Sequence, residues 1–427
     1  MNDGPIYLSG ARLIDGSGGP VPEELYALVV EGRRIRAVAP QAQLPCPDGA
    51  RVFDLNGMTV MPGMIDCHDH LANLEGGMVA RAAIPPSLAV IKTAQTFHDT
   101  LLSGFTAIRH AGGVDLGLKM AVDQGLIPGP RLKISVNLLS QFGGHNDHTE
   151  PAGINTDFPR LPGVPDGICD GPDACRRKTR EMIRAGADWI KICTTGGVGT
   201  PIGGPLIRQF SREEVRAIVD TAHAAGKPVM SHAYGGEGVE ICLEAGVDSI
   251  EHGAALDDDL IDRMVCQGTW LVPTFTVLRK IVELGSQQPC PIPEYMPRKA
   301  RALLDQQLIS FRKALAAGVK MALGTDGGGF GHGQNAKELA YLVEAGMTPM
   351  QAIVAATGMA AQCIGLGDEV GVLRQGMLAD LLVVDGDPLQ NVRILQDRSR
   401  LRLILKDGGI VKNSLSEAPA VAGAAVP

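Results

Sequence analysis

The amino-acid sequence predicts an α/β fold: a (β/α)8 TIM barrel with a small composite β-sandwich domain built from both ends of the chain. Two observations predict it. Strand-like segments occupy both ends, and eight strand-like segments alternate with helical ones between them. We expect residues 1–61 and 369–427 to form the β-domain and residues 62–368 the barrel. A doubly wound open sheet is the alternative, because strand counts from sequence are error-prone.

Both ends of the chain carry the pattern of a β-domain. β-Branched and polar residues alternate in "IYLSGARLID" and "YALVVEGRRIRAVAP" near the start and in "LRLILKDGGIVKN" near the end. A period of two residues places apolar side chains on one face of a strand. We therefore expect the two end segments to pair with each other.

The middle of the chain alternates short apolar segments with amphipathic ones. In "SREEVRAIVDTAHAAG", Ser211 and Glu214 form a capping box, apolar residues recur at helical spacing, and Gly226 ends the helix. Parallel strands need crossover connections of this kind, which are right-handed. The eight candidate strands are "GMIDCH", "FTAIRH", "RLKISV", "DWIKICT", "KPVMSH", "DSIEH", "TWLVPTF" and "VKMALGTD".

One connection is longer than the others. Residues 137–172 follow the third candidate strand and show no clear helix or strand pattern. Loops of this length in a compact domain are usually functional or disordered. In a (β/α)8 barrel this loop lies at the C-terminal face, where barrel enzymes carry their active sites.

The composition excludes some partners and compartments. The 427 residues carry a net charge of −8, so we expect neither a nucleic acid nor a membrane surface as partner. The nine cysteines include no CxxC pair, which is typical of reduced thiols. The first residues lack a signal-peptide pattern, and no apolar run reaches the length of a membrane span. We therefore expect a cytoplasmic protein.

Residues that bind metals collect at the ends of five candidate strands. Side chains two apart in a strand share a face, so both histidines of "HDH" can bind one cation. A polar turn would explain "HDH" alone but not the further residues. Imidazole suits zinc, copper, nickel and iron, and a carboxylate completes the set for zinc or manganese. The six residues are His68, His70, Lys191, His232, His252 and Asp326.

Lys191 is the unusual member of this set, because an ammonium group repels a metal ion. A buried lysine can lose its proton. The neutral amine can then add carbon dioxide and become a carbamate, which is an anionic bridge with two oxygens. That change would make Lys191 a ligand of two metal ions at once. A buried lysine paired with an acid is the alternative.

The six residues resemble the pattern of the metal-dependent amidohydrolase superfamily. That superfamily has H-x-H after the first strand, a carboxylated lysine on the fourth, histidines on the fifth and sixth, and an aspartate on the eighth. The flanks "GMTVMPGMIDCHDH" and "GMLADLLVVDGDPL" are also similar, so the resemblance covers essentially the whole chain. It implies a metal-dependent hydrolase that acts on the C–N bonds of amides or peptides.

Further stretches narrow the resemblance to one branch. "SQFGGHND", "KICTTGGV" and "HAYGGEGVEICLEAGVDSIEHG" resemble the branch of prolidase-like dipeptidases, carboxypeptidases and ochratoxin hydrolases. The branch implies two divalent metal ions, with zinc expected, bridged by a carbamylated Lys191. It also implies a homo-oligomer and a small-molecule amide or peptide as substrate.

The resemblance implies a role for each ligand. His68 and His70 would hold the first metal ion together with Asp326. His232 and His252 would hold the second.

Three residues would act on the substrate. Asp326 would take a proton from the attacking water and deliver it to the leaving amine. Tyr234 would polarise the carbonyl, since a phenol O–H is an oxyanion-type donor. His145 would meet the terminal carboxylate of the substrate. Arg109 and Arg208 are the other candidates for reading that carboxylate.

The sequence departs from the branch at one position. After the second strand the branch usually has Arg-Asp, whereas this chain has Arg109-His110. His110 would either line the pocket or replace a structural acid.

Three functions compete at this point. The first is a binuclear zinc enzyme that cleaves dipeptides or N-acyl amino acids with a free C-terminal carboxylate, ochratoxin-type amides included. The second is a hydrolase of xenobiotic carbamates or phenylureas. The third is a metal-free binding protein of the same fold, whose mark is a missing ligand, and none of the six is missing here.

Overall fold

The computed structural model describes residues 4–73, 83–149, 152–156, 161–201, 203–328 and 332–417. These residues fall into two compact units, one within 1–65, 100–107 and 347–427 and the other within 66–99 and 108–346. The strands are β1 (Ile6–Leu13), β2 (Tyr26–Glu31), β3 (Arg34–Pro40), β4 (Arg51–Asp54), β5 (Thr59–Pro62), β6 (Met64–Asp69), β7 (Phe105–His110), β8 (Arg131–Ile134), β9 (Leu138–Leu139), β10 (Ile190–Cys193), β11 (Val229–Gly235), β12 (Ser249–Ala255), β13 (Trp270–Val272), β14 (Leu381–Val384), β15 (Leu401–Lys406) and β16 (Gly409–Asn413).

Helices follow most strands of the middle region. The α-helices are α1 (Pro86–Leu102), α2 (Leu116–Asp123), α3 (Pro172–Arg184), α4 (Arg212–Ala224), α5 (Gly236–Ala245), α6 (Asp258–Gln267), α7 (Phe275–Leu284), α8 (Tyr295–Ala317), α9 (Lys337–Ala345), α10 (Pro349–Ala355) and α11 (Gly358–Cys363). Among the described residues, no helix combines the length and the apolar character needed to cross a membrane.

The first unit contains an eight-stranded sheet in which both ends of the chain are neighbours. Its order is β16-β15-β14-β5-β1-β2-β3, and β4 pairs with β1. β5 and β14 run antiparallel with Met61 opposite Leu382, and this pairing joins the two ends. Phe53, Leu381 and Leu403 are buried in the apolar core of the sheet. The expected pairing of the ends is observed, while the sandwich arrangement and the domain boundaries at 61 and 368 stay predictions.

The middle of the chain forms parallel strands separated by helices. β13-β12-β11-β10-β9 is a parallel sheet, and α4, α5 and α6 alternate with its strands along the chain. β6, β7 and β8 form a three-stranded sheet. The α/β prediction is confirmed. The described strands of this region lie in two sheets, so closure into a barrel is not shown.

Seven of the eight candidate strands are strands in the structure, and the eighth is not. Within residues 319–326, Met321 forms a single parallel bridge to Leu271. The amide of Asp326 donates to the carbonyl of His68 at 2.7 Å. Asp326 has a φ of 53°, which lies in the left-handed region that extended strands do not adopt. The extended backbone therefore ends before Asp326, the predicted ligand.

The helix predicted from "SREEVRAIVDTAHAAG" shows the expected cap. The Ser211 side chain accepts a hydrogen bond from the amide of Glu214, and the Glu214 side chain reaches back to the amide of Ser211 at 2.6 Å. Val215, Ile218 and Val219 are buried. The last helical residue is Ala224 and Ala225 is the C-cap. Gly226 follows with a left-handed φ of 66°, the position at which glycine commonly ends a helix, so the predicted stop is confirmed.

The long segment 137–172 is anchored at its two ends. Ser140 and Ile168 form a parallel bridge, and the amide of Cys169 donates to the carbonyl of Ser140 at 3.0 Å. Thr149 and Asn155 form a second bridge within it. Parts of this segment, residues 150–151 and 157–160, lie outside the described residues.

Replacing Ser211 by alanine tests the cap of α4. Ser211→Ala removes the acceptor for the Glu214 amide, so we expect the free energy of unfolding to fall by about 1 kcal/mol. Urea unfolding followed by circular dichroism measures it. Ser211→Asp keeps an acceptor and serves as the control. Equal unfolding midpoints for Ser211→Ala and the parent chain would contradict the importance of this cap.

Candidate metal centre

All six predicted ligands lie in the second unit, on strands or directly after them. Four of their side chains are buried, while the side chains of His70 and Asp326 are 12% and 23% exposed to solvent. The partial exposure of these two opens the cluster to a bound molecule. β6 carries His68 and is followed by His70, β10 carries Lys191, β11 carries His232, β12 carries His252, and Asp326 follows the Met321 bridge.

A left-handed backbone at His252 brings two consecutive residues of β12 to the same site. Neighbouring residues of a strand normally point to opposite faces. The Glu251 carboxylate nevertheless lies 2.6 Å from His68 Nδ1, and the His252 ring lies 5.0 Å from the His68 ring centroid. His252 has a φ of 77°, which is uncommon outside glycine and concentrates at functional sites. Because of this conformation, the side chains of Glu251 and His252 do not point to opposite faces of β12.

Three of the predicted ligands form a compact candidate site for a cation. The Asp326 Oδ1 atom lies 3.6 Å from His68 Nε2 and 3.4 Å from His70 Nε2. The three potential ligand atoms lie within 4.8 Å of one another. Two imidazoles and a carboxylate at this spacing can bind one divalent ion.

The other two histidines adjoin this trio. The His232 and His252 ring centroids are 4.6 Å apart, and His252 in turn lies beside His68. The four imidazoles thus form one continuous cluster. The structure thus brings five of the six predicted ligands into contact with one another, and Lys191 lies close enough for its charge to lower the pKa values of all four imidazoles.

Each histidine of the first pair has one ring nitrogen bonded to the protein. His68 Nδ1 bonds to Glu251 Oε2 at 2.6 Å, and His70 Nδ1 bonds to the carbonyl of Gly112 at 3.1 Å. Because these partners accept, both rings carry hydrogen on Nδ1. Their Nε2 atoms keep a lone pair for a metal, which is the usual arrangement at metal-binding histidines.

In the part of the chain that the structure describes, each histidine of the second pair also has one ring nitrogen bonded to the protein and one that is not. His232 Nε2 bonds to the carbonyl of Gly196 at 3.0 Å, which leaves its Nδ1 for a metal. His252 Nδ1 bonds to Thr274 Oγ1 at 2.7 Å. Among the described residues His252 Nε2 is buried without a hydrogen-bond partner. A buried polar atom without a partner is costly, and a bound metal ion would satisfy it.

Lys191 is the second buried group in this cluster that lacks a partner. Its side chain is 1% exposed, and its Nζ has no hydrogen-bond partner within the part of the chain that the structure describes. Burial lowers the pKa of this amine, which favours the neutral form. Among the described residues no acid forms an ion pair with Lys191, so the alternative of a buried ion pair is not observed there.

Burial also keeps the imidazoles in the form that binds metals. It lowers the pKa values of His68, His232 and His252 well below the usual range. It lowers the pKa of His70 as well, although the Asp326 carboxylate opposes this shift. Neutral imidazole is the ligand form. The donor set, its protonation and its two unsatisfied atoms therefore fit a site for divalent metal ions.

A buried ion pair that sequence reasoning missed supports His68 from behind. Arg109 Nη2 donates to Glu251 Oε1 at 2.7 Å, and the other oxygen of that carboxylate holds His68. Arg109 also donates to the carbonyl of Cys67 and lies over the Trp189 ring at 4.4 Å. Both charged side chains are fully buried. Arg109 therefore positions the site and does not face a substrate.

A second missed network joins β6 to the Asp326 segment. Asn335 Nδ2 donates to Asp66 Oδ2 and to Asp69 Oδ2, both at 2.7 Å. Thr325 Oγ1 donates to the same Asp66 oxygen at 2.6 Å, and the amide of His68 donates to Asp66 Oδ1 at 2.9 Å. Burial raises the pKa of Asp66 to about 8 and that of Asp69 to about 6. This network fixes the candidate ligands relative to one another.

His145 and Tyr234, which were predicted to act on the substrate together with Asp326, lie against the second pair of histidines. The His145 ring stacks on His232 with centroids 4.0 Å apart and planes 20° apart. The Tyr234 ring lies 5.1 Å from His232 and 5.2 Å from His252. Burial lowers the pKa of His145 to about 3 and raises that of Tyr234. The imidazole is therefore neutral and the phenol keeps its hydrogen.

Arg208 and His110, which were also candidates for contact with the substrate, bond to other parts of the protein. Arg208 donates to the carbonyl of Phe210 at 2.6 Å and pairs with Glu237 at 3.2 Å. His110 is fully buried, and its ring centroid lies 6.0 Å from that of His70. Its nitrogens lie 3.3 Å from the amides of Ala72 and Gly112. His110 thus packs behind the ligands as part of the structure.

A cavity opens beside the partly exposed carboxylate of Asp326. Thr276, Lys280, Tyr341 and Gln334 line this cavity together with Asp326.

Comparison with known proteins explains the arrangement. A model of the amidohydrolase family matches residues 59–411. The chain belongs to the amidohydrolase family. It is 32% identical to the ochratoxinase of Aspergillus niger over 415 residues, which is 94% of this chain and 85% of that protein. The predicted family and branch are confirmed, and this amidohydrolase is a hydrolase that acts on amide bonds.

Solved structures agree with this assignment. A Xaa-Pro dipeptidase with bound methionine in its active site is 33% identical, with a TM-score of 0.86 over 95% of this chain and 99% of that one. Molinate hydrolase is 20% identical, with a TM-score of 0.78 over 99% of both chains. At that identity the second likeness shows the fold alone.

Replacing Glu251 by glutamine tests the buried support of His68. Glu251→Gln keeps the shape but removes the charge that binds His68 and Arg109. We expect the affinity for zinc to fall about 10–100-fold, measured by competition with a chelator and by the metal content per chain. Glu237→Gln, which alters an exposed ion pair, should bind zinc as the parent does. Unchanged zinc affinity in Glu251→Gln would refute the role of Glu251.

Proposed function

We propose that this amidohydrolase is a binuclear zinc enzyme that cleaves dipeptides and N-acyl amino acids with a free C-terminal carboxylate. Amides of the ochratoxin type belong to the same substrate class. The observation that carries the proposal is the buried Lys191 amine, which lacks a partner in the described structure beside four imidazoles, each with a ring nitrogen left for a metal. The similarity to a dipeptidase and to an ochratoxinase supports the substrate class.

The ligand set divides into two halves. His68, His70 and Asp326 would hold one ion, and His232 and His252 would hold the other. Lys191, carboxylated on its neutral amine, would serve both.

The chemistry that these ions supply when bound is a water of lowered pKa and a clamp on the reacting oxygens. The neutral histidines need no proton release before they bind a metal ion. The Lys191 amine would add carbon dioxide and release one proton as its carbamate forms, and burial, which lowers the pKa of this amine, favours the neutral form that reacts.

Asp326 would move the proton during hydrolysis. Its carboxylate lines the cavity and retains 23% exposure, so it can reach both water and substrate. It takes one proton from the attacking water and delivers it to the amide nitrogen as the C–N bond breaks. The products are a carboxylic acid and an amine, which balances the addition of one water molecule.

Tyr234 would stabilise the oxygen on which negative charge develops. Burial raises the pKa of its phenol, so the group stays a hydrogen-bond donor at neutral pH. Its ring lies against both His232 and His252. A fixed donor at this position favours the transition state over the neutral carbonyl.

His145 would recognise the carboxylate of the leaving amino acid. Arg109 is buried against Glu251, and Arg208 pairs with Glu237, so neither arginine competes for this role. The neutral His145 ring next to His232 can donate one hydrogen bond to an anionic oxygen.

Closure of the strands into a (β/α)8 barrel is part of the same proposal. The Met321 bridge to Leu271 and the bond from the amide of Cys67 to the carbonyl of Leu323 at 2.8 Å link residues 321–323 to β13 and to β6. A homo-oligomer and a cytoplasmic location stay predictions from the sequence.

A substrate library tests the reaction. Zinc-loaded enzyme is incubated with dipeptides, N-acyl amino acids, ochratoxin A, the C-terminal carboxamide of each, and a set of carbamates and phenylureas. The released amine is measured, whether it is an amino acid, an amino-acid amide or another amine. We expect release from free acids at a kcat/KM at least tenfold above that for the carboxamides. Turnover of carbamates or phenylureas alone would replace the proposal by the second hypothesis. Two bound metals with no turnover of any amide would refute it.

Replacing Lys191 tests the metal site separately. We expect Lys191→Ala to reduce the zinc content from about two ions per chain to one or fewer and to abolish hydrolysis, since the bridge is lost. Elemental analysis of the purified chain measures this. Lys313→Ala, at an exposed lysine paired with Asp258, is the matched control. A folded parent chain that binds no zinc after reconstitution would favour the metal-free binding protein.

A further inference from the structure

The loop after β10 places one buried hydroxyl group against the ring of His145. Thr200 Oγ1 lies 2.9 Å from His145 Nδ1, and Thr200 is 5% exposed. His145 Nε2, by contrast, has no hydrogen-bond partner among the residues that the structure describes. The His145 ring is therefore bonded to the protein through Nδ1, while Nε2 can form a hydrogen bond with a bound molecule.

The hydrogen bonds of the Thr200 hydroxyl bear on the tautomer of His145. The amide of Gly197 donates to Thr200 Oγ1 at 2.9 Å, which uses one of the two lone pairs of the hydroxyl. Among the described residues, His145 Nδ1 is the acceptor that the hydrogen of this hydroxyl can reach. When the hydroxyl donates to Nδ1, the hydrogen of a neutral imidazole lies on Nε2; when Nδ1 carries the hydrogen, it donates to the second lone pair.

The backbone around this hydroxyl is built to hold it there. A Cβ atom at Gly197 would lie 2.2 Å from His145 Cε1, so only glycine lets the loop approach the ring. Lys299 Nζ on α8 donates to the carbonyl of Thr200 at 2.6 Å, and Tyr295 on the same helix donates to the carbonyl of Gly199. The loop is thus tied both to the ring and to α8.

The ring itself is held on two further sides. The amide of His145 donates to Gln209 Oε1 at 2.8 Å, and the ring face stacks on His232. Gln209 and His232 thus hold the position of the ring, and Thr200 is the group in contact with one of its nitrogens.

We propose that Thr200 is a positioning residue that holds His145 as its Nε2–H tautomer, so that the ring donates to the C-terminal carboxylate of the substrate. In the other tautomer Nε2 would present a lone pair to an anionic oxygen, which repels it. Thr200 would thereby give the enzyme its preference for free acids over carboxamides. This inference rests on the proposed function, in which His145 reads that carboxylate.

Kinetics with a matched pair of substrates tests the inference. The pair is the best free acid of the library and its C-terminal carboxamide, and the variants are Thr200→Val and Thr200→Ser. For Thr200→Val we expect KM for the acid to rise about tenfold or more, since a hydrogen bond to a charged group is lost. We expect kcat for the acid and KM for the carboxamide to change less than twofold. Thr200→Ser keeps a hydroxyl and should restore KM.

Two kinetic outcomes would overturn the role of Thr200. One is an equal change of KM for acid and carboxamide in Thr200→Val, which would indicate a general distortion of the loop. The other is a Thr200→Ser variant that behaves like Thr200→Val. Both outcomes leave the proposed hydrolysis of free acids intact.

Nitrogen-15 NMR of histidine-labelled enzyme tests the tautomer without substrate. The His145 signals are identified by their loss in His145→Gln. We expect hydrogen on Nε2 in the parent and in Thr200→Ser, and a mixture of tautomers in Thr200→Val. Hydrogen on Nδ1 in the parent, or an unchanged Nε2–H form in Thr200→Val, would overturn the inference. Failure of the proposed function would show instead as a parent chain that hydrolyses no free acid.

Discussion

The buried carboxylate of Glu251 is the group on which the site depends. It binds Arg109 with one oxygen and His68 with the other, and all three side chains are nearly inaccessible to water. Removing either partner of such a pair leaves a buried charge without compensation, which costs several kcal/mol. The arginine, the acid and the metal-binding ring therefore have to be present together.

Glu251 can hold this place only because the next residue leaves the regular strand geometry. The left-handed backbone at His252 turns its ring towards the same cluster that Glu251 supports. One short strand thus supplies both a ligand and the group that orients another ligand. Asn335 joins Asp66 and Asp69 and so fixes the segment that carries His68 and His70. The candidate ligands are thus held by two separate buried networks.

How much of this the sequence could predict differs from residue to residue. The six candidate ligands were predictable because their residue types stand at the ends of strands, whose positions follow from apolar patterns. Glu251 was not, because an acid next to a strand histidine is expected to point away from it. Asn335 gives no signal either, since its partners are distant in the sequence. Arg109 was a candidate for binding the carboxylate of the substrate, but its side chain is fully buried and cannot reach a substrate.

The eight-stranded sheet has a consequence for how the chain is made. β5 pairs with β14, which leaves the ribosome about 320 residues later. At about 5–20 residues per second this interval lasts tens of seconds. During that time the edge of β5 that pairs with β14 has no hydrogen-bonding partner, and unpaired strand edges promote aggregation. β14 thus completes an edge that β5 presents from early in synthesis, so the first sheet strands depend on a segment that is made much later.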